Sequence, residues 1–515
     1  MRRVVSRGLA PIVVGQSRSI RVIHPLLFLF ACGLFACGDS DGSGAGPSGD
    51  GGAGASASGG GGNGGSSGGG EPGGNGAGGD TPGTSCTPDM APLVGDACGV
   101  FVNPVAPEGG DGSKQAPFKS LVDAIERNGK ASYYVCADGN ITEQVTLPLG
   151  SSLYGNLDCG DDWTWADEPS NWLSPEGAVA ISVIGDIDVP ADPELATHIE
   201  GFALTAGSPS SNQRSSVAVL AQSAYVELRD VSITMRAGAD GPSGAEGADG
   251  PLGETGAAGG NATCGSAAPA GGTSACDAAG GAGGRWSTTC APIPGQSNQA
   301  NAGLTGSSCS AGSNGLAAGD DGSPGAPITG GEGRGAIDLD GYVGVDGRNG
   351  TDGYDGSPGG GGGGRLLSTG AHTAGGGGGA GGCGGAAGTG GGYGGSSIGV
   401  LSLRAQWAFD DVVFVPAKGG NGGAGGEGGH GSQGRAGGTS PPPYPQTSEW
   451  CKGGHGSDGG DGGSGGGGAG GHSAFIGFVG PAPIANGVQI DGDFAGGAGH
   501  DGAASGLQQV AIDFN

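Results

Sequence analysis

The chain is 515 residues long and 131 of them are glycine, about one quarter against the roughly 7% of ordinary proteins, so most of it cannot form a conventional apolar core. Its 49 acidic and 20 basic side chains leave a formal charge of -29, which excludes nucleic acid and anionic membrane surfaces as electrostatic partners. No His-Glu-x-x-His pair or phosphate loop occurs, and the corresponding zinc-protease and nucleotide chemistries lack their residues.

The first 36 residues carry Arg2, Arg3, Arg7, Arg18 and Arg21 and no acid, ahead of the apolar run PLLFLFACGLFA at residues 25–36. That run is too short for a membrane span and fits the core of an export signal. Its end resembles a bacterial lipoprotein signal, in which a leucine three places before a cysteine, with a small residue between, marks cleavage and lipid attachment. The pattern occurs at Leu29 to Cys32 and again at Leu34 to Cys37. Cys37 is the expected lipid attachment site, because it leaves the longer apolar core and an even number of cysteines. The resemblance implies a lipid-anchored protein of the bacterial cell envelope, at the cell surface or outer membrane, with the membrane as its partner through the anchor. Residues 37–85 are nearly all Gly, Ser, Ala, Asn and Asp and read as a flexible tether.

Folded sequence starts near Cys86, and residues 86–236 are expected to form an N-terminal β part with a cap. The text GVFVNPVAPEGGDGSKQAPFKSLVDAI from Gly99, followed by YYVCADGNITEQVTLPLGSSLYGNLDC from Tyr133, resembles the start of bacterial pectin-lyase-like proteins. That resemblance implies an all-β fold, a right-handed parallel β-helix, with a short helix at Leu121, Val122 and Ile125 closing its open end. Relatives of this kind include surface proteins, so it implies an architecture more than an activity.

Residues 216–241 slide without gaps onto residues 397–422, placing Ser216 on Ser397, Asp230 on Asp411, Val231 on Val412, Ile233 on Phe414 and Gly241 on Gly422. A looser third copy starts at Ser473, with Val488 and Ile490 in the columns of Val231 and Ile233. Each copy holds two short β-rich runs, the second partly alternating apolar and polar residues as a half-buried strand does. A unit this small cannot bury its apolar side alone, so the copies are expected to stack over one core. β units are thus expected at 86–236, 397–418 and 473–515, with glycine-rich insertions at 237–396 and 419–472, all on one flank.

In those insertions glycine recurs at every third place over residues 238–259, 341–359, 422–437 and 453–471. In a three-residue-per-turn extended helix this period lines glycine along one edge, where another strand can pack without a Cβ in the way. Three readings stay open: extended strands packed within one molecule, a triple helix between three chains, and disorder, since glycine gives up the most backbone entropy on ordering. The acids inside the runs, Asp240, Asp249, Asp346, Asp352, Asp355, Asp458 and Asp461, read as solvated loop acids or as weak Ca²⁺ ligands; no other cofactor is expected. Without a Cys-x-x-Cys pair no structural zinc is expected. In an exported chain the cysteines are expected in disulfides, paired by proximity as Cys86 with Cys98, Cys136 with Cys159, Cys264 with Cys276, Cys290 with Cys309, and Cys383 with Cys451.

Trp163, Trp165 and Trp172 lie among Asp161, Asp162, Asp167 and Glu168, a mixture that can contact a glycan by ring stacking and hydroxyl bonds or pack as a loop on the β part. Asp410 and Asp411 followed by Gly429-His430-Gly431 resemble the paired carboxylates and Gly-His-Gly of polygalacturonase-type glycosidases, but the Asn-Thr-Asp and Arg-Ile-Lys elements of that family are missing. The expected function is structural or adhesive, an acidic surface making many weak contacts with matrix, polysaccharide or a surface protein; the alternative is a polysaccharide hydrolase or lyase. No catalytic residue is assigned.

Overall fold

A computed structural model describes residues 84–88, 92–297, 310–315, 317–326, 333–367, 369–442 and 450–515. The export signal, Cys37, the tether up to residue 83 and Cys309 lie outside them. The regular elements of the described chain are almost entirely β-strands, with the helix Leu121–Asn128 and two short 3-10 turns besides. No described helix is long and apolar enough to cross a membrane.

Two sheets carry the repeat. The smaller one runs Val145–Leu147, Ile181–Ile184, Ser216–Gln222, Ser397–Leu403, Ser473–Val479 and Gln508–Asp513, each parallel to the next. The larger one includes Ser152–Asp158, Thr197–Thr205, Tyr225–Thr234, Gln406–Val415 and Val488–Ile490, again parallel. From Ile181 onward the chain passes alternately from one sheet to the other. The gapless alignment of the two copies is the pairing register: Ser216 faces Ser397, Val231 faces Val412 and Ile233 faces Phe414. In the third copy Ser473 faces Ser397, and Val488 and Ile490 face Val412 and Phe414.

Between the sheets the columns Phe202, Val231, Val412 and Leu204, Ile233, Phe414 meet Val219, Val400 and Ile476 in one buried core. Tyr225–Thr234 and Gln406–Val415 of the larger sheet bury alternate residues on either side of the kink, as their pattern predicts. In the smaller sheet Ser216–Gln222 and Ser397–Leu403 are buried on both faces, because the hairpin of Ala336–Asp338 and Gly341–Val343 lays Ile337 and Tyr342 over Val217, Leu220, Ile398 and Leu401. The helix forms where Ser120 caps it, accepting the Asp123 N–H at 3.0 Å, and stops at Gly129, whose φ of 62° only glycine adopts at little cost. It packs Leu121 and Ala124, with Val122 and Ile125 at their rim, against the first core layer.

Across their described residues the glycine-rich insertions form a hydrogen-bonded lattice. Leaving the larger sheet and returning to the smaller one, they run as adjacent extended segments bonded through their backbones, so the first of the three readings holds and the packing is within one molecule. Segment 238–259 donates one amide per triplet, from Gly238, Gly241, Gly244, Gly247 and Gly250, to the carbonyls of Lys418, Asn421, Ala424, Glu427 and His430 at 2.7–2.9 Å. The repeat register therefore continues from the strands into the glycine segments. Segment 374–395 lies at the centre, and its amides turn to three neighbours in rotation: Gly376 to Cys451, Gly377 to Ala257, Gly378 to Gly281.

Glycine content follows position. Segment 238–259, exposed at two residues of three, needs one glycine per triplet; segment 419–438 shows every third residue outward, Glu427, His430 and Gln433, and has two per triplet over 419–430; the central segment, mostly buried, is small on all three sides. A Cβ added to Gly382, Gly385 or Gly388 would stand 1.9–2.1 Å from a neighbouring carbonyl oxygen, inside any allowed contact.

Candidate functional site

On the outer face of the larger sheet, side chains of adjacent strands line a groove of about 360 Å³ that includes Tyr154, His198, Glu200, Glu227, Arg229 and Asp410, with Thr87 and Pro88 at one side. Register builds it: His198 lies beside Glu227, and Glu200 beside Arg229 beside Asp410. His198 Nδ1 is 2.7 Å from Glu227 Oε2 and Arg229 Nε is 3.2 Å from Asp410 Oδ2. These ladders can hydrogen-bond a polyhydroxylated chain, whereas glycosidic cleavage needs one carboxyl held protonated and a second acting as base or nucleophile.

The apparent catalytic pair is not assembled. Asp411 sits at a kink with φ 53°, in one register column with Asp230 at 47°, Gly201 at 81° and Gly487 at 79°. Only Gly, Asn and Asp visit this left-handed region readily, which explains the residue by backbone shape. His430 belongs to a glycine segment, paired with Asp461 at 3.5 Å. Twelve residues of extended chain from Lys418 put it roughly 37 Å further on at about 3.1 Å per residue.

Of the three tryptophans, two are closed to a glycan and the packed-loop reading describes them. Trp172 is fully buried in the core, its Nε1 donating to Glu143 O at 2.9 Å, and Trp163 is buried edge-on against Phe101. Trp165 is half-buried against Tyr134 and Tyr154. The apolar ring outweighed the acidic neighbourhood, and no open stacking face remains on Trp163 or Trp172.

Every acid proposed as a Ca²⁺ ligand accepts a backbone N–H from a neighbouring glycine segment. Asp240 and Asp249 take Asn421 and His430; Asp346, Asp352 and Asp355 take Tyr393, Ala387 and Gly384; Asp458 and Asp461 take Gly434 and Gly431, at 2.6–2.9 Å. Asn349, Asn314 and Asp321 do the same for Gly390, His455 and Asp461. The Gly431 N–H holds the Asp461 carboxyl below its usual range. Sequence reading missed this role, although each acceptor directly precedes a triplet glycine. Among the described residues, two clusters have metal-ligand geometry, Cys264, Cys290 with His372 and Cys276, Cys383 with Asp355. Both contain a disulfide, so their thiolates are spent.

Disulfides join Cys86 to Cys98, Cys136 to Cys159, Cys264 to Cys290 and Cys276 to Cys383. The proximity pairings of Cys264 with Cys276, Cys290 with Cys309 and Cys383 with Cys451 are thereby overturned. Cys276 sits at the bend of a segment packed on the central one, which brings Cys383 nearer than its sequence neighbours. Cys451 is disulfide-bonded as well.

One buried titratable group lies where a glycine segment enters the smaller sheet. His472 Nδ1 accepts the Leu507 N–H at 2.9 Å, and Nε2 lies 2.7 Å from Arg334 O, to which it donates. Burial lowers its pKa below 6.5. In comparisons with protein-family models, curated proteins and solved structures, the chain matched none.

Proposed function

We propose that the protein is a surface-anchored structural or adhesive element of the bacterial cell envelope, lipidated at Cys37. In this reading the two parallel sheets are faces of a right-handed parallel β-helix, which holds the glycine lattice at one flank. The supporting observation is the lattice itself: extended segments locked by backbone bonds, with outward positions such as Glu246, Glu427, His455 and Asp458 repeating at triplet spacing. A stiff array of repeated polar groups suits many weak contacts with matrix, polysaccharide or a surface protein, where avidity supplies the affinity.

The alternative, a polysaccharide hydrolase or lyase, draws on the groove around Glu200, Glu227 and Asp410. Incubating the full chain with acidic and neutral polysaccharides, with reducing-sugar release and pull-down measured on the same polymers, separates the two. Retention without release is the expected result. Release abolished by Asp410→Asn or Asp411→Asn would overturn the structural reading.

A further inference from the structure

One of the three directions in which the central segment donates changes partner half-way along. Gly375, Gly378 and Gly381 donate to the carbonyls of Gly284, Gly281 and Ala278, at 3.1, 2.7 and 2.8 Å. Past the bend of that neighbour at residues 275–277, the amides in the same phase are Gly384, Ala387, Gly390 and Tyr393. They donate to side chains: Asp355 at 2.9 Å, Asp352 at 2.8 Å, Asn349 at 2.9 Å and Asp346 at 2.8 Å. A column of side-chain oxygens at period three thus continues a column of backbone carbonyls. The same change occurs on segment 419–438, where Gly419 and Gly422 donate to Ala495 and Ala498, and Gly431 and Gly434 donate to Asp461 and Asp458.

We infer that Asp346, Asn349, Asp352 and Asp355 terminate the lattice. They stand in for one further extended strand, the partner this face fits, and so close it to the glycine-triplet strands of a second copy of this chain. An edge of aligned unpaired amides is a template for lateral addition, and natural sheets blunt such edges with charge. Here the blunting group also supplies the missing acceptor. Small residues at Gly384, Ala387 and Gly390 leave the floor low enough for a strand once the side chains are gone.

The test compares two variants of the full chain. In Asp346→Ala/Asn349→Ala/Asp352→Ala/Asp355→Ala, hydrogen exchange at Gly384, Ala387 and Gly390 is expected to quicken about tenfold or more, with self-association beyond the wild-type state in sedimentation velocity. In Asp346→Asn/Asp352→Asn/Asp355→Asn the acceptor oxygen remains, so exchange should stay within about threefold of wild type, without added association. Amides of Val219 and Val400 should exchange as in wild type in both, separating local opening from loss of fold. Should the fourfold variant not fold, Asp355→Ala alone, read at Gly384, makes the same comparison. Unchanged exchange with alanine, or asparagine failing as alanine does, overturns the acceptor role. Fast exchange without association overturns the closure.

Discussion

At the scale of single residues, glycine here is a steric requirement more than a flexible one. A Cβ on Gly382 would lie 1.9 Å from Ser432 O, whereas one on Gly260 meets nothing within 4 Å. Gly382→Ala is therefore expected to destabilise by about 1–3 kcal/mol, as overpacking does, and Gly260→Ala by a few tenths at most, read from the shift in thermal midpoint. His472 gives a pH prediction. Its folded pKa lies below the unfolded 6.5 because burial disfavours the charged ring. Its contribution to stability is thus complete above pH 6.5 and is lost as pH falls through the folded pKa. Tyr342, Phe514 and the Arg334 carbonyl face it, and the Arg334 charge further disfavours a cationic ring. Thermal midpoints from pH 7 to 5 should fall more steeply in wild type than in His472→Gln; equal slopes would remove His472 as the cause.

At the scale of elements, the sheets and the glycine segments are held by different forces. The sheets bury continuous apolar columns. Even the central glycine segment donates only about one hydrogen bond per residue, worth roughly 0.5–1.5 kcal/mol net, against about 1–2 kcal/mol per residue for fixing the backbone. Its order depends on attachment, which the sheets supply at the segment ends and the Cys276–Cys383 bond supplies within. Replacing both cysteines by alanine is expected to cost about 2–5 kcal/mol. The loss should be local: amides of Gly379 and Gly382 exchange faster while those of Val219 and Val400 hold. Parallel acceleration at all four sites would mean that lattice and sheets unfold as one unit.

Across the whole molecule, one register governs both halves. The match of residues 216–241 to 397–422 could be read without a structure because pairing and sequence repeat obey the same spacing, and it continues into the glycine segments, where Gly247 meets Glu427. The strands, the capped helix and the glycine edges were legible for that reason: each is set by residues close in sequence, through apolar alternation, a side-chain cap or a missing Cβ. Asp, Asn and Gly before or within each triplet were visible as well, but not what they were for. Whether Asp355 is a solvated acid, a cation ligand or an acceptor depends on Gly384 standing 2.9 Å away, across a lattice whose neighbours are distant in sequence. The burial of Trp163 and Trp172, the Cys264–Cys290 and Cys276–Cys383 bonds, and the separation of Asp411 from His430 are of the same kind. Sequence by itself determined which backbone each stretch can adopt, because that choice is local and steric; only the tertiary structure decided which polar groups meet, because their partners are chosen by packing between segments far apart in the chain.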